Sequence, residues 1–377
     1  MVSESSSIAA RLGAEIAAHR LQYDPGQADA AARLDALSAN LQGSSRSVRQ
    51  RLRAQLRRLP GFNRLPRQNG AAPQRGLYIW GGVGRGKTLL MDMFYETLRT
   101  VQCERTHFYR FMRQVHAELR SVPRRTEPLE VVAERLARRA RVICLDEFFV
   151  ADIADAMILA GLLAGLFRRG VTLVATSNSA PQDLYRDGLQ RGRFLPAIAL
   201  LEQHMDVVHL DGGVDYRLRQ LEQAPTYLDS TLPATAATLR RRFASLAGGA
   251  ASGPKKLSIE NRAIRALATG PGMVWFEFAE ICDGPRGQND YIELARLYHT
   301  IFISNIPAFT RTDEDAARRF IALLDEFYDR SVNIVVSAAA SPAALYRGDR
   351  LRFEFQRASS RLIEMQGQHY LAAPHRP

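Results

Sequence analysis

Lysine is almost missing from this 377-residue chain. Only Lys87, Lys255 and Lys256 occur, so the formal net charge of +12 rests on arginine. Acid is missing from one long stretch as well. No aspartate or glutamate lies between Asp35 and Asp92, where Arg46, Arg49, Arg51, Arg53, Arg57, Arg58, Arg64, Arg67 and Arg75 gather. Such a segment is either a solvated helix face or a contact for nucleic acid, anionic lipid or an acidic protein. Phe62 is the only aromatic interleaved there to stack on bases, which favours the solvated face. Cysteine is scarce too: Cys103, Cys144 and Cys282 fit no metal spacing and no disulfide framework, which points to a reduced cytoplasmic compartment. No apolar run is long enough for a membrane-spanning helix. Residues 1–20 lack the basic start and apolar core of a secretory signal.

What is present suits two domains with ample apolar residues for buried cores. Residues 9–41 read as two helical pieces broken at Asp24-Pro25-Gly26, followed by a basic helix over 45–59 and an irregular loop over 60–74. Strands and helices then alternate. Strand 77–80, helix 88–98, strand 107–111, helices to about residue 139, strand 142–145, helix 153–167, strand 171–176, helical turns near 184 and over 195–201, and strand 207–210 imply a parallel sheet covered on both faces. Beyond Asp211 the pattern is mixed. A helix over 239–246 and a flexible stretch over 248–256 precede a hairpin over 257–267, strands at 274–281, 301–306 and 332–336, and helices over 291–298, 315–328 and 360–368.

Gly81-Gly82-Val83-Gly84-Arg85-Gly86-Lys87-Thr88 follows a strand and opens a helix, the context that a G-x-x-x-x-G-K-[ST] loop requires. The glycines let backbone amides close around phosphate oxygens, and the helix start adds a positive end. Lys87 would reach the β- and γ-phosphates of ATP and the Thr88 hydroxyl would ligate Mg²⁺. About sixty residues on, Val142-Ile143-Cys144-Leu145 ends in Asp146 and Glu147. Asp146 would hold the metal's hydration shell, and Glu147 would polarise the attacking water. No N-K-x-D guanine reader is present, against a switch GTPase. Asn178, at the tip of the next strand, is either a γ-phosphate sensor or a turn residue. Arg191 or Arg193 would serve as a finger toward a neighbouring subunit's ATP, unless both are surface residues.

The blocks GGVGRGKTLLMDMFY (81–95), HFYRFMRQVH (107–116), LDEFFVADIADAMIL (145–159), TSNSAPQDLYRDGLQRGRFLPAI (176–198), GVDYR (213–217), CDGPRGQNDY (282–291), RRFIALLDEFYD (318–329) and SRLIEM (360–365) resemble the ZapE-type AAA+ ATPase family of bacteria and mitochondria. The resemblance implies a P-loop AAA+ core with a parallel sheet over 76–247, after a helical, arginine-rich extension over 1–75. A mixed α/β domain over 257–377 would replace the usual helical lid. It also implies Mg-ATP hydrolysis by a homo-oligomeric ring acting on protein partners at the division ring, in the cytoplasm or peripheral to the inner membrane. Arg191 stands where the family's finger is expected, and Arg361 where a second sensor arginine contacts nucleotide. A nucleotide-switched loader that binds nucleic acid through residues 46–75 is the competing reading.

One internal pattern is independent of the family. Residues 152–188 align without gaps to 313–349, with 11 of 37 positions identical. In that register Asp146 faces Pro307, Glu147 faces Ala308 and Asn178 faces Ala339, so a second copy would lack every catalytic group. Residues 283–290 would then stand in the place of a phosphate loop. Two unrelated helix–strand–turn units would give the same pattern.

Overall fold

The computed structural model describes residues 7–18, 23–45, 74–82, 84–98, 101–123, 127–150, 152–211, 221, 224–248 and 250–376. The arginines from Arg46 to Arg67, the proposed helix over 45–59, Val83 and the block at 213–217 lie outside the described residues. The chain divides into two compact units, residues 1–213 and 214–377.

The first unit begins with α1 (Ile8–Ala17) and α2 (Pro25–Ser45). Asp24 ends the break between them by accepting the Gln27 amide at 2.8 Å. Ile8, Leu12, Leu34, Leu37 and Leu41 bury one stripe of each helix against β1 (Gly76–Trp80) and α3 (Lys87–Thr97). Then follow β2 (Cys103–His107), α4 (Phe108–Ser121), α5 (Pro128–Arg139), β3 (Val142–Asp146), α6 (Ile153–Arg168), β4 (Thr172–Ser177), α7 (Leu195–His204) and β5 (Met205–His209). The sheet order is β2-β3-β4-β1-β5, and every pairing is parallel. One face packs on α3 through Leu77, Ile79, Cys144 and Val174, the other on α6 through Tyr78, Ile143, Leu145 and Ala175.

The strand expected at 107–111 is a correction. Residues 103–107 form the strand, and Phe108 opens a helix. Phe108, Phe111, Met112 and Val115 recur at helical spacing and are all buried, whereas the strand Cys-Glu-Arg-Thr-His is polar and half-buried at the sheet edge. The other core strands fall within two residues of the expected positions at their starts.

The second unit holds β6 (Tyr227–Asp229), α8 (Thr235–Leu246), β7 (Lys255–Ile259), β8 (Arg262–Ala266), β9 (Ala268–Gly270), β10 (Met273–Glu277), α9 (Phe278–Cys282), α10 (Gln288–Leu297), β11 (Thr300–Ile306), α11 (Glu314–Asp329), β12 (Asn333–Ala338), α12 (Arg352–Glu364) and α13 (Gln368–Leu371). Its sheet runs β6-β12-β11-β10-β9, parallel except at β9. The β7–β8 hairpin turns on Glu260 and Asn261, both at positive φ (45° and 61°). A purely helical lid is thereby excluded, and β11 and β12 run parallel as a second copy requires.

Two details of that copy need correction. Residues 283–287 link α9 to α10, as 122–127 link α4 to α5, so they do not stand in the place of a phosphate loop. The expected register fails at one strand as well. The residue at the β11 tip with positive φ and an amide bonded to a hydroxyl on the next strand is Asn305, not Ala308. The slip is complete at the first strand pair, where Thr300 meets Asn333 as Val142 meets Thr172, so the three extra residues lie between β11 and α11.

Candidate active site

The strand register decides which residues meet. Leu145 pairs with Ala175 and Trp80 with Ser177, so Gly81, the Asp146-Glu147 pair and Asn178 all emerge at the carboxyl edge of adjacent strands. That edge is where open parallel sheets bind ligands. The Gly81 amide donates to the Ser177 carbonyl at 3.2 Å, which ties the loop's first residue to β4. A Cβ on Gly81 would meet the Leu210 carbonyl oxygen at 2.6 Å. Gly86 precedes α3 in the left-handed region (φ 80°). The Lys87 ammonium donates to the Gly81 and Gly82 carbonyls, both at 2.6 Å, so it lies along the loop. Thr88 and Arg85 are half-buried beside it.

Gln27 of α2 reaches the same loop, donating to the Arg85 carbonyl at 3.1 Å. Its side-chain oxygen is buried with no hydrogen-bond partner among the described residues. Sequence reasoning missed Gln27, although the helix break just before it marks the spot.

Asp146 is buried and paired to Arg105 on β2, with Nε to Oδ2 at 2.7 Å and Nη2 to Oδ1 at 3.3 Å. Arg105 also pairs with Asp92 of α3. Burial opposes the charge on Arg105, and the two carboxylates more than offset it. Burial likewise raises the Asp92 carboxyl above its usual range, against the pull of Arg105, and lowers neighbouring His107 below the ordinary histidine value. Arg105 carries no motif, and only the β2–β3 pairing brings it to Asp146.

Glu147 sits at φ 54°, a strained position for a residue with a side chain. Two bonds to Thr176 hold it there: the Glu147 amide donates to Oγ1 at 3.2 Å and the Phe148 amide to the carbonyl at 2.7 Å. Ser177 Oγ closes the lacing by donating to the Phe148 carbonyl at 2.7 Å. Asn178 follows as a half-buried residue just past the β4 tip.

The remaining expected residues stand on other elements. Arg191 is half-buried in a 3₁₀ turn, donating to the Gln182 carbonyl at 2.6 Å, while Arg193 is exposed. Arg361 belongs to the second unit. There its guanidinium pairs with Asp325 at 2.5 Å and lies 4.7 Å over the Tyr328 ring. Arg75 pairs with Asp206 and caps the carbonyls of Glu202, Gln203 and Met205. The three cysteines are free, and the fold brings Cys103 and Cys144 to 3.7 Å between sulfurs.

The donor set fits a magnesium nucleotide: an ammonium and backbone amides for phosphate, then a hydroxyl and a buried carboxylate for the metal. A five-stranded parallel sheet carrying a glycine-rich loop on β1 and a carboxylate pair on β3, with the order β2-β3-β4-β1-β5, defines a P-loop ATPase of the AAA+ class. The model of the AFG1-like ATPase family matches residues 6–374, and the chain belongs to that family. It is 50% identical over 303 residues to the Cell division protein ZapE of Escherichia coli strain K12, covering 80% of this chain and 81% of that one. The Lactation elevated protein 1 homolog B of Danio rerio is 36% identical over 344 residues, 79% of this chain and 68% of that one. Among solved structures, Caenorhabditis elegans PCH-2 aligns over 93% of this chain and 73% of its own, at 12% identity and a TM-score of 0.31. Among the described residues no helix is long and apolar enough to cross a membrane.

Proposed function

We propose that this ATPase depends on Mg²⁺ and spends hydrolysis on remodelling a protein assembly at the bacterial division ring, working as a homo-oligomeric ring in the cytoplasm or against the inner membrane. The observation that carries the reading is the 50% identity to a protein named for cell division, over 80% of the chain, together with an intact loop and carboxylate pair.

Lys87 and the amides from Gly82 to Thr88 bind and orient the phosphates of ATP. Thr88 Oγ1 and Asp146 hold the metal, which supplies charge neutralisation at the phosphates when bound. Arg105 aims the Asp146 carboxylate through its paired bonds. Glu147 takes the proton of the attacking water, and the bonds to Thr176 fix the direction in which its carboxylate points. Asn178 orients the same water. Arg191 leaves the Gln182 carbonyl to stabilise developing charge at a neighbour's site.

The test is the ATPase rate measured against protein concentration, with and without purified division proteins. Specific activity that rises with concentration, and rises further with one division protein, supports the reading. A rate independent of both overturns the ring and the partner. DNA binding that tightens with ATP and weakens with salt would favour the loader instead.

A further inference from the structure

Two thiols of the first unit take no part in the chemistry described so far, and the fold puts them in contact. Cys103 opens β2 and Cys144 lies in the middle of β3, with 3.7 Å between their sulfurs. Strand register sets the contact. Cys103 pairs with Val142 and Arg105 with Cys144, so the thiols meet on a diagonal across the two strands. Arg105 reaches Asp146 on the same diagonal, two residues further along each strand, at 2.7 Å. Side chains alternate along a strand, so all four project on one face, the face that packs on α3. Asp92 of α3 closes the group by pairing with Arg105.

The two thiols differ in access. Cys144 is fully buried, whereas Cys103 is half-buried on the outermost strand of the sheet. Contact with the Cys144 thiol holds the Cys103 thiol below its ordinary value, and Arg105 pulls the same way against burial. An oxidant therefore meets Cys103 first, with Cys144 behind it as the sulfur in reach. The second unit offers a comparison. Its run β10–α9–α10–β11–α11–β12 follows the plan of β2–α4–α5–β3–α6–β4, and the pairing of Glu277 with Ser304 corresponds to that of His107 with Asp146. By that register Met273 and Phe302 stand where Cys103 and Cys144 stand, and Trp275 and Ser304 where Arg105 and Asp146 stand. The thiol pair and the ion pair are replaced together.

We propose that Cys103 and Cys144 are a modification site for hydrogen peroxide, forming a reversible disulfide that switches ATP hydrolysis off by skewing the Arg105–Asp146 pair. The Cys103 thiolate attacks one peroxide oxygen and the O–O bond breaks. The departing oxygen leaves as water with the proton that Cys103 gave up, and Cys103 becomes a sulfenic acid. The Cys144 sulfur then attacks Cys103 Sγ, the S–O bond breaks, and a second water leaves with the Cys144 proton. Two thiols lose two electrons and two protons, and one peroxide is reduced to two waters. A disulfide holds its sulfurs about 2.0 Å apart, so the diagonal must shorten. With a neighbouring strand on one side only, β2 is the strand that moves. Arg105 moves with it, and misplacement of catalytic groups by about 1 Å costs up to about a hundredfold in rate. In a reducing compartment such a bond is transient, which suits sensing.

The test uses the full chain, treated with hydrogen peroxide without nucleotide, then quenched, denatured and alkylated with N-ethylmaleimide. Of the three thiols only Cys282 should remain alkylatable, and peptide mapping by mass spectrometry should join Cys103 to Cys144 within one chain. ATP turnover should fall at least about tenfold, and dithiothreitol should restore both the thiols and the rate. Cys103→Ser should hydrolyse ATP normally and keep its rate through the treatment. Three alkylatable thiols after treatment, oxidation that halts at Cys103 with Cys144 still alkylatable, or a bond between two chains would overturn the proposal. So would a fall in turnover that Cys103→Ser shares. The loss of turnover rests on the reading of Asp146 as the metal's holder, whereas the disulfide does not, so Asp146→Asn is assayed alongside. Normal turnover in that variant sinks the reading of the site. Unchanged turnover in the disulfide form, beside an inactive Asp146→Asn, sinks the switch.

Discussion

The backbone amide of Glu147 donates to Thr176 Oγ1 at 3.2 Å, and the bond spans two adjacent parallel strands to hold a residue at φ 54°. A strained catalytic residue needs a neighbour that over-determines its position. Thr176→Val, which keeps the shape and removes the oxygen, should therefore lower kcat by roughly tenfold or more by misplacing the carboxylate. KM for ATP should change little, and Thr176→Ser should restore the rate. A loss confined to KM would mean that Thr176 shapes the binding loop.

Glu147→Gln keeps the loop whole and removes the base. Turnover should fall at least about a hundredfold while ATP stays bound. Lys87→Ala should do the reverse at the binding step, because its ammonium is the group proposed to reach the phosphates. Equilibrium binding of a fluorescent ATP analogue to both variants separates the two. Tight binding by Lys87→Ala would contradict the phosphate role.

Arg191→Ala should bind ATP normally and hydrolyse it poorly. Mixed with Glu147→Gln subunits, it should regain activity that neither variant has alone, since an intact finger from one then meets an intact base from the other. If mixtures made with Arg191→Ala stay inactive and those made with Arg193→Ala recover, the exposed arginine is the finger.

His375 is buried against the Ala295 carbonyl at 2.6 Å, and burial lowers it from 6.5 to about 4. A depressed histidine favours the folded state above its unfolded value and loses that contribution as pH falls from about 6.5 toward 4. Between pH 7 and pH 5 the second unit should lose about 2 kcal/mol from this group. Denaturant melts of His375→Gln should show a shallower acid slope than the unaltered protein. Parallel slopes would place the titration elsewhere.

The phosphate loop and the carboxylate pair were legible because their chemistry is local. Gly86 at positive φ, Lys87 one residue into a helix and Asp146 at the end of a fully buried strand each leave a residue type at a fixed spacing. Arg105, Thr176 and Gln27 left no such trace, since each reaches the site from another element and its partner is chosen by strand register or helix packing. Strand β2 was misplaced by four residues, 107–111 against Cys103–His107, because an edge strand of Cys-Glu-Arg-Thr-His has no apolar alternation, while the residues after it carry buried apolar side chains at helical spacing.

The sequence by itself determined that the first unit is a P-loop ATPase, since the loop, the acids and the alternating strands are read along the chain. It also hinted at the repeat, through eleven identities at one offset. Only the tertiary structure decided what the repeat means. Three-residue β6 is too short to announce itself, and it becomes a strand because β12 offers it a parallel edge. That single long-range pairing puts residues 230–234 in the place of a phosphate loop, and the pairing of β10 with β11 puts Glu277 and Trp275 where the first unit keeps His107 and Arg105.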